Sequence, residues 1–300
     1  MSIPTKIRIA IIPGDGIGQE VVREASKVLK TLDELGILRI ELVRFKYGAE
    51  EYLQTGVAIS DDLVSEFEKK FNAVLIGTFG DPRVPDHAHA RIIHKKLHQI
   101  LDLKIQHRPV KLLNAELSPF KSHLPEHVSF DLFIDMTEDI RKTFGGIDRE
   151  NRTGVIALQE YIVFEDSVRE FIRACCEYAK SNKLRRVLLA EKSSQLRHAH
   201  GLWIKVLESM KTDYSDLDIK HQSVDALIPH LFREPSDFDV IMTPQIYGDI
   251  LSEIGATLQG GIGLAATGYI HPGQTGIFKP IHGSAPSFAG KNVANPFGAI

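Results

Sequence analysis

Asp249 and Glu253 are four residues apart and follow a Tyr247-Gly248 pair. On a helix that spacing puts both carboxylates on one face, as two ligands of one divalent cation require. The competing reading is a solvated acidic face. Asp225, after the apolar Val224, is a candidate third carboxylate. Hard oxygen donors point to Mg²⁺ or Mn²⁺. The two cysteines, Cys175 and Cys176, are adjacent and form no CxxC pair, which argues against a thiolate zinc site or a disulfide framework. Lys192 ends a buried apolar run and is placed either as a base or proton relay or as an ordinary exposed lysine.

Gly14-Asp15-Gly16-Ile17-Gly18 joins a strand-like run to a helix-like one. Such glycines allow close backbone approach to a ligand, and a helix N-terminus favours anions. The dinucleotide fingerprint, however, needs a glycine where Gln19 stands, and a tight turn accounts for the motif as well. His282-Gly283-Ser284-Ala285-Pro286 and Asn295-Pro296 offer small side chains and backbone donors to a flat ligand; by composition they are only loops. Histidines 87, 89, 94, 98 and 107 cluster, with His94 and His98 on one helix face; they read as a polar face, and no metal is assigned to them.

The elements that must position these residues alternate. Ile7–Ile12, Leu38–Phe45, Ala73–Ile76, Phe130–Ile134, Val187–Ala190 and Phe238–Met242 read as strands. Helical spacing joins Val21, Val22, Ala25, Val28, Leu29 and Leu32. It recurs at Val168, Phe171, Ile172, Cys175 and Ala179, and again at Leu202, Val206, Leu207 and Met210. Alternation of this kind predicts an α/β fold with mostly parallel strands. The glycine-rich last forty residues read as ligand-facing loops with little regular structure.

The chain has 300 residues, 43% hydrophobic and 25% charged, with a formal net charge of -3. That is enough apolar material for a large core in one or two domains. The charge balance does not suggest binding to nucleic acid or to a membrane surface. No apolar run approaches the roughly 18 residues of a membrane span, and Lys6 and Arg8 interrupt the first apolar stretch, unlike a signal peptide. Few cysteines suit a reducing, cytoplasmic setting.

Taken in order, Ile12–Gly18, Lys192-Ser193, Tyr247–Ser252, His282–Pro286 and Ala294-Asn295-Pro296 resemble the metal-dependent β-decarboxylating dehydrogenases. These include isopropylmalate, isocitrate, tartrate and D-malate dehydrogenases. Gly80–His87 with Arg108–Leu113 is most similar to the tartrate/D-malate branch. The resemblance implies a two-domain isocitrate/isopropylmalate dehydrogenase-like fold with a mostly parallel central sheet. Residues 1–107 with 259–300 would form a discontinuous cofactor-binding domain, and 108–258 a central substrate and dimerisation domain. It further implies oxidation and decarboxylation of a small (2R)-hydroxy acid, with NAD as acceptor and Mg or Mn as metal, in a homodimer with shared active sites. Asp249 and Glu253 match metal ligands, and Asp225 matches a third ligand given by the partner subunit. Lys192, also from the partner, matches the base or proton relay, and Arg108 a carboxylate-binding arginine. Ile12, Gly14, His282, Gly283, Ser284, Ala285, Pro286 and Asn295 match cofactor-binding positions.

Some matching positions differ from the family. His98 and Met136 stand at expected arginines, Thr137 at a glutamate, and Thr143 at the catalytic tyrosine. Gln106 and Ser194 stand at asparagines, Glu253 at an aspartate, Lys279 at a glutamate, and Ser287 at the acid that holds the adenosine ribose. Tyr161 is an alternative phenol to Thr143. With no acid at 287 and a lysine at 279, NADP stays beside NAD. Two readings follow: an active dehydrogenase with an altered substrate, and a catalytically impaired paralogue serving as a regulatory or binding subunit. The chain also ends before the family's closing helices, which predicts a dimer or larger assembly.

Overall fold

The structure is a computed structural model that describes residues 6–120, 128–137, 145–151 and 154–300. The elements run β1 (Ile7–Gly14), α1 (Gly18–Glu34), β2 (Ile40–Arg44), α2 (Ala49–Thr55), α3 (Asp61–Lys70), β3 (Ala73–Thr78), α4 (Ala88–Ile100), β4 (Ile105–Lys111) and β5 (Ser129–Asp135). There follow β6 (Gly145–Asn151), β7 (Gly154–Gln159), α5 (Glu165–Ser181), β8 (Arg186–Glu191), α6 (Arg197–Met210), β9 (Asp218–Ser223) and α7 (Val224–Arg233). The last are β10 (Val240–Thr243), α8 (Gln245–Leu258), β11 (Ala266–Ile270) and β12 (Gly276–Pro280). The chain divides into two units, Met1–Leu103 with Gln259–Ile300, and Lys104–Leu258. All of β4 lies in the second.

The first unit carries strands in the order β2-β1-β3-β12-β11, parallel except for the β11–β12 pair. Strand alternation decides what covers each face. Ala10 and Ile12 of β1, with Val74 and Ile76 of β3, pack with Val64 and Phe67 of α3 and Ile93 and Leu97 of α4. Ile11 and Leu75 point the other way, onto Val21, Val22 and Ala25 of α1. Both faces are therefore buried, which is why β1 reads as a continuous apolar run. Each fully buried Ile, Leu or Val stabilises the fold by about 1.5–3 kcal/mol.

The second unit repeats the scheme in the order β4-β5-β10-β8-β9, with only β4–β5 antiparallel. Phe130, Leu132 and Ile134 of β5 face Val224, Leu227 and Leu231 of α7 and Leu251 and Leu258 of α8. On α5, Val168, Phe171, Ile172, Cys175 and Ala179 are buried together, and Phe171 meets Trp203 of α6 edge-on at 5.5 Å. A separate antiparallel pair, β6–β7, belongs to this unit's stretch of chain.

One expectation is overturned here. The glycine-rich C-terminal stretch is not merely loop: it contributes β11 and β12 to the sheet, and Ile277 is buried in the core. Gly268 and Gly276 do not open a loop. A Cβ on either would sit 3.1–3.2 Å from its nearest neighbour, with the ring of Phe278 against both positions. These glycines leave room for that ring on a paired strand.

Candidate active site

Strand β8 and helix α7 set the chemistry-bearing groups of the second unit. The β8–β9 ladder runs as far as Glu191 opposite Ser223. Chain direction therefore delivers Lys192, just past β8, and Asp225, in the first turn of α7, to the same edge. Lys192 Nζ forms an ion pair with Asp225 Oδ2. The lysine side chain is 14% exposed and the aspartate 66%, so the pair is buried on one side and open on the other.

Helix α8 carries the remaining carboxylates. Gly248 and Gly255 lie on its inner face; a Cβ at Gly248 would overlap Ile134, and one at Gly255 would come within 2.7 Å of Val110. The helix thus lies flush on β4 and β5 with Leu251 and Ser252 buried, and Asp249 and Glu253 project from the exposed face. Neither carboxylate has a hydrogen bond or ion pair among the described residues. Two uncommitted hard-oxygen donors one helical turn apart fit Mg²⁺ or Mn²⁺. Within one chain the structure brings Lys192 to Asp225 and Asp249 to Glu253. Among the described residues of one chain, no three His, Cys, Asp or Glu side chains converge as a metal-holding group.

Arg108 lies in β4 opposite Leu132 of β5, partly buried. His98 of the first unit packs edge-on against Tyr269 at 4.4 Å. Met136 packs against the second unit's core, and Thr137 bonds through its amide and hydroxyl to Asp135 Oδ1. Thr143 lies outside the described residues.

In the first unit the glycine turn and the 282–286 loop meet: Ile17 N donates to Ser284 O at 2.9 Å, and a Cβ at Gly16 would overlap that same carbonyl oxygen. Gly16, Ile17 and Ser284 are therefore neighbours, while Gly14 lies against Thr78. His282 Nε2 is buried without a partner among the described residues, an orphan polar atom beside Gly283 and Ser284 that suits a cofactor-binding loop. Ala285 adopts φ 39°, Pro286 is exposed, and Asn295 Oδ1 accepts from Phe297 N at 3.0 Å. Ile12 belongs to the same motif as the glycine turn. It is fully buried in the core, so its side chain offers no surface to a ligand.

Two features escaped sequence reasoning. The Asp15 carboxylate is buried, accepts from Ala49 N (2.7 Å) and Gly80 N (2.9 Å), and pairs with His89 Nε2 at 2.7 Å. It ties three segments together beneath the glycine turn. Second, His200 of α6 is fully buried and its Nδ1 accepts from Lys192 N at 2.8 Å. The ring spacing His200, Trp203, Leu207 is an i, i+3, i+7 core stripe, which was the available signal.

Burial pushes His200 down to about 4, against the pull of Glu191. Burial, with help from Lys279 and His98, takes His94 down to about 3. An unfolded histidine takes up its proton near pH ~6.5. Between that pH and about 4 the unfolded chain binds more protons than the folded one, so stability falls as pH falls. The slope is up to about 1.4 kcal/mol per pH unit for each ring. Urea unfolding midpoints should drop steadily from pH 7 to pH 5; a flat midpoint across that interval contradicts the assignment.

Comparison with known proteins decides the ancestry. Residues 8–300 match the isocitrate/isopropylmalate dehydrogenase family. The 3-isopropylmalate dehydrogenase of Bifidobacterium longum is 35% identical over 295 residues, covering 98% of this chain and 84% of the relative. The chain belongs to the isocitrate/isopropylmalate dehydrogenase family. The enzyme of the same name from Corynebacterium kroppenstedtii is 33% identical, over 98% of this chain and 86% of its own. Among solved structures, isocitrate dehydrogenase from Methylococcus capsulatus superposes with a TM-score of 0.82 at 25% identity, over 98% of this chain and 83% of that one. A β-decarboxylating dehydrogenase from Thermococcus kodakarensis, at 24% identity and a TM-score of 0.79 over 98% of this chain and 80% of its own, shares the fold. As a family member the chain is an oxidoreductase of the dehydrogenase type. The finer placement in the tartrate/D-malate branch gains no support from these relatives. Among the described residues no helix is long and apolar enough to cross a membrane.

Proposed function

We propose that this family member oxidises, with decarboxylation, a small (2R)-hydroxy acid of the malate, isopropylmalate or tartrate type, using NAD or NADP and Mg²⁺ or Mn²⁺. The observation that carries the reading is the Lys192–Asp225 pair at the β8–α7 edge, together with two uncommitted carboxylates on the open face of α8. The active form is a homodimer in which Asp249 and Glu253 of one subunit work with Lys192 and Asp225 of the other. When bound, the dinucleotide would supply a hydride acceptor for C2 and the cation would supply Lewis-acid polarisation of the substrate.

The chain's own residues do the rest. Asp249, Glu253 and Asp225 would hold the cation through carboxylate oxygens. Lys192 Nζ holds or passes the proton of the C2 hydroxyl. Arg108 offers its planar fork to a substrate carboxylate. The glycine turn and the 282–286 loop, with Asn295, would hold the dinucleotide. A phenol is also at hand in the Lys192 neighbourhood, since the Tyr161 ring lies 6.0 Å from that of His200. Cys175 and Cys176 suit a reducing, cytoplasmic compartment: both thiols are unpaired and buried, and burial pushes Cys176 up to about 12.

Purified protein incubated with Mn²⁺, a panel of (2R)-hydroxy acids and either NAD or NADP should reduce one of the two dinucleotides, followed by absorbance, at roughly 1 s⁻¹ or faster, the ordinary enzyme range. Silence across the panel with both dinucleotides contradicts the reading and favours a binding or regulatory subunit.

A further inference from the structure

We propose that His200 is the positioning residue of Lys192: the buried imidazole fixes the lysine's backbone, and thereby the place from which the amine acts. The inference concerns local geometry; its catalytic consequence rests on the function proposed above.

Lys192 leaves the sheet at the last rung of the β8–β9 ladder, where its N–H has no strand partner. A backbone donor at such a place needs another acceptor. His200 Nδ1 is that acceptor, at 2.8 Å. The neighbouring groups are held as well. Lys192 O accepts from Gln195 N at 3.1 Å and from Leu196 N at 2.9 Å, and Ser193 N donates to the buried Glu191 carboxylate. The peptide units on both sides of Lys192 are therefore fixed, and only the side chain remains to move toward Asp225 or substrate.

The ring itself is tightly constrained. His200 is fully buried, with the rings of Tyr161 at 6.0 Å and Tyr247 at 5.7 Å. Because Nδ1 accepts, the neutral ring carries its proton on Nε2. That N–H is buried without a partner among the described residues. An aliphatic side chain would fill a buried position on an apolar helix face without leaving a donor unsatisfied. A histidine is tolerated there because its other nitrogen makes a bond no aliphatic residue can make. The same ring touches Tyr247, which begins the Tyr247-Gly248-Asp249 turn of α8. One side chain thus packs against the element of the acidic pair while holding the backbone of the lysine.

The test compares His200→Asn with His200→Leu in the full chain. An asparagine amide oxygen can occupy the place of Nδ1; leucine fills the volume without an acceptor. Two readouts are taken: the rate at which trinitrobenzenesulfonate modifies Lys192 at one pH, by peptide mapping, and kcat with the KM for dinucleotide. Expected for Leu is a change in Lys192 modification of about fivefold or more, within the range that loss of one hydrogen bond allows. Its kcat should fall about tenfold or more with the dinucleotide KM unchanged, and Asn should stay within about twofold of wild type on both. Leu and Asn behaving alike toward the reagent overturns the proposal. If wild type turns nothing over but reagent still separates Leu from Asn, the positioning role stands and the dehydrogenase reading fails. Should His200→Leu not fold, His200→Gln replaces it, since its amide reaches the place of Nε2 and misses that of Nδ1.

Discussion

Lys192→Met lowers kcat by about 10²–10⁴-fold, the usual contribution of a positioned acid or base. Methionine keeps an unbranched stem of similar length and removes only the amine. The ion pair it breaks is largely solvated on the Asp225 side, which is 66% exposed. Such pairs contribute about 0–1 kcal/mol to stability, so the melting temperature should barely move. The dinucleotide KM should also hold, because the residues proposed to bind it lie in the other unit of the chain. Steady-state kinetics on the best substrate, with thermal unfolding alongside, separates these effects. A variant retaining more than about a tenth of wild-type kcat contradicts the role given to Lys192.

Gly16→Ala should produce a large loss of stability for a one-carbon change. The residue has φ 55°, and a Cβ there would overlap the carbonyl oxygen of Ser284. Backbone cannot swing aside as a long side chain can, so the 282–286 loop must move. Left-handed backbone costs a non-glycine residue roughly 1–2 kcal/mol, and forcing atoms into packed space about 1–3 more. Gly36→Ala is the control: φ is 68° but nothing lies within 4 Å, so only the conformational part remains. Urea unfolding should show Gly16→Ala losing at least about 2 kcal/mol and Gly36→Ala roughly 1–2. The first should also weaken dinucleotide binding, by fluorescence titration, and the second should not. Equal losses in both would remove the close contact from the explanation.

Much of the architecture was legible because buried parallel strands advertise themselves. Ile11 and Ile12, Val74 to Ile76 and Val187 to Ala190 are apolar on both faces, and only a covered sheet uses such runs. The C-terminal strands were not, because Gly268 and Gly276 carry the ordinary signature of loops while making room for Phe278. Sequence spacing placed Asp249 and Glu253 on one face correctly, since helix geometry alone decides that. It could not show that Gly248 turns that face outward by meeting Ile134. Nor could it reveal Asp15 with His89, 74 residues apart, or the bond from Lys192 to His200. Those partners are adjacent only after the chain has folded, and no local period encodes them. Ile12 adds a further case: its side chain, inside a ligand-like motif, serves the core.

The sharing of one site between two subunits is tested most directly by mixing two inactive chains. Lys192→Met and Asp249→Asn are purified separately, unfolded together and refolded as a mixture. A heterodimer of the two has one site built from the intact half of each chain and one site carrying both lesions. Random pairing makes half the dimers mixed, so about a quarter of wild-type activity should return from two preparations that have almost none (~10⁻² or less of wild type for each alone). If each site instead draws Lys192 and Asp249 from one chain, no pairing restores an intact set. A refolded mixture no more active than its parents would contradict the account.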